Sequence, residues 1–202
     1  VVNSKIANVA TGKTGIEDAK NMCLWTGEAL EIAPELVLPS STGVIGQRLP
    51  IKTIHEGCKS ITEQLGSSTE HIEKFARAIM TTDTHPKWSS CRVGNATILG
   101  VAKGAGMIEP NMATMLSYFV TDAKLSSEEL RAILYRVVNK SFNRISIDSD
   151  TSTSDTVVIL ANGLAGRVDT EEFEAAFTKS AMQLAKEIAR DGEGATKLIE
   201  LT

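Results

Sequence analysis

The chain has 202 residues, 42% of them hydrophobic and 23% charged, with a formal net charge of -4. That is the balance of a globular protein with a sizeable core. Lys and Arg are spread without a basic run or interleaved aromatics, which argues against a nucleic-acid partner, and no apolar stretch approaches a membrane span.

No signal peptide is visible. Cys23, Cys58 and Cys91 are odd in number and far apart, which points to a reducing compartment. His55, His71 and His85 are equally scattered, so neither a metal nor a cofactor is expected. The chain starts at Val1 without Met and ends on the apolar run Lys197–Thr202, so a longer polypeptide is expected.

Val1–Val9 reads as a strand. Gly12-Lys13-Thr14 looks like the end of a phosphate-binding loop, but the first glycine of that motif would fall at Ala7, and the reading is rejected. Thr14 with Glu17 makes a capping box that predicts a helix to about Ala33. Leu36–Leu38 reads as a short strand running into Ser40-Ser41-Thr42-Gly43. A Thr-Gly pair after a strand can aim one hydroxyl and one backbone N–H at the same point, the geometry of an oxyanion hole. On composition alone a plain Ser/Thr/Gly turn is the simpler reading.

Pro50 sits at a helix N1 position, with a helix predicted to about Leu65. Ser67 with Glu70 forms a second capping box, followed by a helix over His71–Met80. The helix stops in the polar break Thr81-Thr82-Asp83-Thr84-His85-Pro86. Cys91–Val93 and Ala96–Val101 form a predicted hairpin around Gly94-Asn95.

The next stretch is Lys103-Gly104-Ala105-Gly106-Met107-Ile108-Glu109-Pro110-Asn111-Met112-Ala113-Thr114-Met115-Leu116. Gly104 and Gly106 permit a sharp turn, and Pro110 keeps Glu109 out of the helical region. Ala113–Val120 then opens an apolar run suited to a strand. A threonine hydroxyl is a weak nucleophile and needs a base. If the chain is cut at Ala113–Thr114, the α-amine of Thr114, with an ordinary pKa of about 7.7–8, can serve. On pattern alone, a glycine turn feeding a core strand with an ordinary buried Thr is the simpler reading.

Ser126 with Glu129 makes a third capping box, with a helix to about Asn139. Asp148–Asp155 tempts a calcium reading, but an EF-hand loop needs a glycine at Thr153 and a glutamate at Ile159, so it is rejected. Thr156–Ala161 reads as a buried strand. Asp169 with Glu172 caps a helix over Glu171–Arg190, in which Phe173, Phe177 and Ala181 fit one apolar stripe. Arg190–Lys197 closes the chain as a loop, with Glu193 between Gly192 and Gly194. Helices alternate with apolar runs and no linker interrupts them, so a single α/β unit over 1–202, sheets covered by helices, is expected.

The central stretch, taken with SSTGVIGQRLP (40–50), AIMTTDTHPK (78–87), SFNRISIDSDTSTSDTV (141–157) and RDGEGATK (190–197), resembles the ornithine acetyltransferase family, the bifunctional glutamate N-acetyltransferases. The resemblance covers most of the chain. It implies a layered, self-processing acyltransferase fold cut at Ala113–Thr114 into a 1–113 and a 114–202 portion. Thr114 would be the nucleophile, Thr42 and Gly43 the oxyanion hole, and Thr81, Lys103, Thr114 and Glu193 the substrate contacts. The family usually has glycine where this chain has Lys5 and Ser149, and asparagine where it has Ser154.

The resemblance further implies ping-pong transfer of an acetyl group from N-acetylornithine to glutamate in arginine biosynthesis. Acetyl-CoA is an open alternative donor, as in bifunctional members. The partners implied are an α/β-chain heterodimer within a larger oligomer, in bacterial cytoplasm or, in a eukaryote, the mitochondrial matrix. Lys103 would bind a substrate carboxylate and depress the pKa of the new α-amine; without the resemblance it reads as a solvated surface lysine. The rival readings are an amide hydrolase with the same N-terminal nucleophile and a catalytically inert fragment.

Overall fold

The computed structural model describes residues 1–108 and 115–201. They group into two compact units, Val1–Thr81 and Thr82–Thr202.

In the first unit β1 (Val2–Asn3) pairs in parallel with β2 (Ser40–Ser41), and an isolated bridge joins Ile6 to Val44. The strand expected over Val1–Val9 is interrupted because Lys5 is left-handed, with φ 79°. Helix α1 (Gly12–Leu30) buries Gly15, Asp18, Met22 and Thr26, one stripe at helical spacing. The expected Thr14–Glu17 capping box is not used: the helix has already started at Gly12, and left-handed Ala10 and Gly12 steer the chain into it. At its end Glu31 turns left-handed and the Ile32 N–H returns to the Gly27 carbonyl at 3.0 Å, so α1 stops short of Ala33.

Pro34–Leu36 form a 3-10 turn, closed by the Val37 N–H on the Pro34 carbonyl at 3.1 Å, and the strand expected over Leu36–Leu38 does not form. Helix α2 (Ile51–Lys59) has Pro50 as its N-cap, and a 3-10 turn at Ile61–Gln64 follows. Helix α3 (Thr69–Ala78) is capped by Ser68 rather than Ser67. The Ser68 hydroxyl pairs with His71 Nδ1 at 2.7 Å instead of a backbone N–H, so the second expected capping box is also absent.

The second unit is built on a four-stranded sheet in the order β3 (Lys87–Val93), β4 (Ala96–Lys103), β5 (Leu116–Ala123), β6 (Thr156–Gly166). The first two pairings are antiparallel, and β3–β4 is the expected hairpin, turned at left-handed Gly94. β5 and β6 are parallel. Such a pair needs a crossover, which α4 (Ser127–Lys140) supplies. Its capping box is complete: the Glu129 N–H donates to the Ser126 hydroxyl at 3.2 Å, and the Ser126 N–H donates to Glu129 Oε2 at 2.7 Å.

Helix α5 (Thr170–Arg190) is capped by Asp169, which accepts from the Glu171 and Glu172 N–H groups at 3.0 and 2.9 Å. Its apolar stripe of Phe173, Phe177, Ala181, Leu184 and Ile188 is fully buried. Phe177 meets Phe119 of β5 edge-on at 4.7 Å between ring centroids. Across the sheet from Phe119, Gly100 leaves room for that ring: a Cβ there would lie 2.3 Å from it. The unit is an α/β layer of sheet and helix, as the sequence pattern led us to expect.

The register of the sheet sets up the site. Lys103 at the end of β4 lies opposite Leu116, and Leu116 lies opposite Thr156. Lys87, at the start of β3, pairs with Ala102. Lys87, Lys103, Met115 and Asp155 therefore line one end of the sheet, the end where residues 104–108 leave it.

Candidate active site

Residues 104–108 are held by four separate anchors. The Gly104 N–H donates to Asp83 Oδ1 at 2.7 Å. The Ala105 carbonyl accepts from the Glu193 N–H at 2.6 Å. The Asp148 carboxylate accepts from the N–H groups of Met107 and Ile108, the latter at 2.8 Å. The Ile108 carbonyl accepts from the Ile147 N–H at 2.8 Å. A Cβ on Gly106 would stand 2.7 Å from Glu193 Oε2, the free end of an exposed side chain, so the Glu193 carboxylate lies directly over this glycine.

After the intervening residues the chain is held again. The Met115 N–H donates to Asp155 Oδ1 at 2.8 Å, and the Met115 carbonyl accepts from Thr156 N–H at 3.1 Å. The acidic loop that resembles a calcium site thus spends Asp148 and Asp155 on backbone N–H groups at the two ends of 109–114. A carboxylate bound by N–H donors is a charge-assisted anchor, stronger than a neutral hydrogen bond.

Beneath this turn lies a buried ionic cluster. The Lys87 ammonium, fully buried, donates to Asp83 Oδ1 at 2.8 Å and to Asp191 Oδ2. Asp191 also accepts from the Thr84 N–H at 3.0 Å and from the Thr84 hydroxyl. Burial pushes the Asp191 carboxyl up, but Lys87 and Thr84 outweigh it and leave the pKa below the ordinary value. Lys103 is 1% exposed, so the solvated-lysine reading is overturned. Burial drives its pKa down and Lys87 adds to this, while Asp83 and Asp155 oppose it. Burial pushes Asp155 up to about 6, against the Met115 N–H and the Lys103 charge. An ammonium with a weakened hold on its proton and a carboxylate with a strengthened one thus face each other at the sheet end. Groups poised in this way suit proton transfer.

Of the residues singled out from sequence, Lys103 and Glu193 are brought to the same turn. Glu193 is exposed and its carboxylate lies over Gly106. In the first unit Thr42 is 1% exposed, and its backbone N–H is committed to the Asn3 carbonyl at 3.1 Å. Gly43 has φ +128°, and a Cβ on it would lie 2.2 Å from the Lys5 carbonyl, so no other residue fits. Thr81 is half-buried and ends the first unit. Ala113 and Thr114 lie outside the described residues.

Sequence reasoning assigned no role to Asp83, Lys87, Asp148, Asp155 or Asp191. One signal was present: Lys103 closes an otherwise apolar strand, a place where a lysine needs buried carboxylates.

Comparison with known proteins gives the wider setting. A model described as the ArgJ family matches residues 1–202. The arginine biosynthesis bifunctional protein ArgJ 2 of Clostridium acetobutylicum is 55% identical over 202 residues, covering 100% of this chain and 52% of that protein. Glutamate N-acetyltransferase Oat2 of Streptomyces clavuligerus is 49% identical over 201 residues, covering 100% of this chain and 51% of that protein. The chain spans about half the length of the curated relatives it matches. A solved structure of ornithine acetyltransferase complexed with ornithine from Mycobacterium tuberculosis is 31% identical, with a TM-score of 0.48 over 55% of this chain and 60% of that one. With the family model matched from the first residue to the last, the chain belongs to the ArgJ family.

Proposed function

We propose that the chain carries the acetyl-transfer centre of an enzyme that moves an acetyl group from N-acetylornithine to glutamate. The observation that carries this reading is the convergence of Lys103 and Glu193 on the turn that leads to Thr114, in a chain whose relatives are named for arginine biosynthesis and glutamate N-acetylation.

After cleavage at Ala113–Thr114 the Thr114 α-amine takes the proton of its own hydroxyl, and Oγ attacks the acetyl carbonyl. Thr42 and Gly43 stabilise the oxyanion. Ornithine leaves with the proton, and the glutamate amine then attacks the acetyl-threonine ester. Lys103 attracts a substrate carboxylate, and Glu193 holds a substrate amine. Thr81 completes the substrate contacts. The 1–113 and 114–202 portions stay together as an α/β-chain pair within a larger oligomer. Acetyl-CoA as a second donor would fit the bifunctional names of the relatives. The compartment is bacterial cytoplasm or the mitochondrial matrix; a relative in Clavispora lusitaniae is named as mitochondrial. Among the described residues no helix is long and apolar enough to cross a membrane.

The test is acetylornithine consumption by the full-length polypeptide with and without glutamate. Consumption that needs glutamate, and that disappears in Thr114→Ala, is expected. Consumption that ignores glutamate would make the protein an amide hydrolase. A chain that stays uncut and inactive would be an inert relative.

A further inference from the structure

We propose that Lys87 is a positioning residue that fixes the span between Lys103 and Glu193, and through that span selects the length of the acetyl donor. This rests on the transfer reading above, in which Lys103 meets a substrate carboxylate and Glu193 a substrate amine. N-acetylornithine carries one of each, a carboxylate on its α-carbon and an ammonium at the end of its side chain. Two binding charges can measure such a molecule only if they are themselves held at a set separation.

Lys87 joins the supports of both residues. Its ammonium is fully buried and donates to Asp83 Oδ1 at 2.8 Å, to Asp191 Oδ2 and to the His85 carbonyl at 3.4 Å. An ammonium has three N–H donors, so Lys87 has none left for a substrate and acts only through its partners. Asp83 Oδ1 also accepts the Gly104 N–H at 2.7 Å, directly after Lys103. Asp191 ends α5, with its N–H on the Glu187 carbonyl at 3.0 Å, and is followed by Gly192 and Glu193. From Lys103 to Glu193 the tie therefore runs through Gly104, Asp83, Lys87 and Asp191, all of them buried.

A direct contact exists as well, the Glu193 N–H on the Ala105 carbonyl at 2.6 Å. That is one neutral hydrogen bond from an exposed residue. The Lys87 contacts to Asp83 and Asp191 are charge-assisted and buried, which makes them the stronger and stricter tie. Stability alone does not account for them, because desolvation cancels much of the attraction in a buried ion network and packed apolar side chains often serve as well. What this network adds is a fixed geometry among the segment before β3, the exit of β4 and the end of α5.

The experiment compares kcat/KM of the full-length enzyme, with glutamate as acceptor, for N-acetylornithine and for Nα-acetyl-lysine, which is one methylene longer. Wild type should favour N-acetylornithine by roughly 10–200-fold, the range that one methylene commands. Lys87→Arg keeps the charge but replaces a compact ammonium with a wide planar fork, which pushes the two carboxylates apart. The preference should fall about tenfold, with KM for N-acetylornithine raised and kcat little changed. Asp191→Glu lengthens the same tie by one methylene with every charge kept. It should act in the same direction, and it gives the answer if Lys87→Arg does not fold.

Phe173→Leu separates positioning from general loss of stability. Phe173 lies in the buried stripe near the start of α5, far along the helix from Asp191. This variant should melt lower than wild type and keep the wild-type preference. A folded Lys87→Arg or Asp191→Glu with the wild-type preference would overturn the assignment. So would a wild type that does not distinguish the two donors, or an equal loss of preference in Phe173→Leu. A wild type that consumes neither donor would instead sink the transfer reading itself.

Discussion

Asp83 Oδ1 accepts the Gly104 N–H at 2.7 Å and the Lys87 ammonium at 2.8 Å. One buried oxygen therefore joins the start of β3 to the turn that leaves β4. Asp83→Asn keeps an oxygen for Gly104 but removes the charge facing Lys87. Removing one partner of a buried ion pair costs about 3–5 kcal/mol. Asp191 remains beside Lys87, which places the expected loss at the low end, about 3 kcal/mol. Urea unfolding of the full-length polypeptide measures this; a loss near zero would mean the pair adds nothing to the fold.

Asp191 should leave a signature in acid. Its folded pKa is depressed, so its contribution is present above the unfolded value of 3.8 and is lost as pH falls through the lower folded value. Wild-type stability should therefore decline below about pH 4, and Asp191→Asn should be weaker at neutral pH but show a shallower acid decline. Chemical unfolding of the two proteins across that range gives the comparison. Parallel curves would show that the Lys87 and Thr84 contacts do not bias the carboxyl.

Lys5 and Ser149 occupy left-handed backbone, with φ 79° and 65°. At both positions the resemblance drawn from the sequence led us to expect glycine. A left-handed side-chain residue costs roughly 1–2 kcal/mol, part of which is offset by the greater freedom of glycine in the unfolded chain. Lys5→Gly and Ser149→Gly should each stabilise the protein by about 1 kcal/mol. Differential scanning calorimetry reads the gain as a higher melting temperature; a fall in either variant would show that the side chain makes a compensating contact.

The same two residues show why local reading worked unevenly. The sequence departures were visible, but only the backbone showed that the chain keeps a glycine-like conformation without glycine. Capping boxes divide in the same way. Ser126 with Glu129 forms its box, and Asp169 caps α5. Thr14 with Glu17 matches the pattern and is bypassed, because left-handed Ala10 and Gly12 start α1 one turn early. At Ser67 the cap moves on by one residue, and the Ser68 hydroxyl prefers the His71 ring. A four-residue pattern can state a preference, but packing decides whether it is used.

Sequence alone determined the α/β alternation, the hairpin at Gly94, the apolar stripe of α5 and the turn after Lys103, because each depends on residues a few positions apart. Tertiary structure alone decided that Thr84 and Lys87 reach Asp191, 107 and 104 residues away, and that Asp148 and Asp155 bracket 109–114. A carboxylate is identical in the sequence whether water or a buried ammonium faces it. Only the folded chain removes the water and so makes the choice of partner matter.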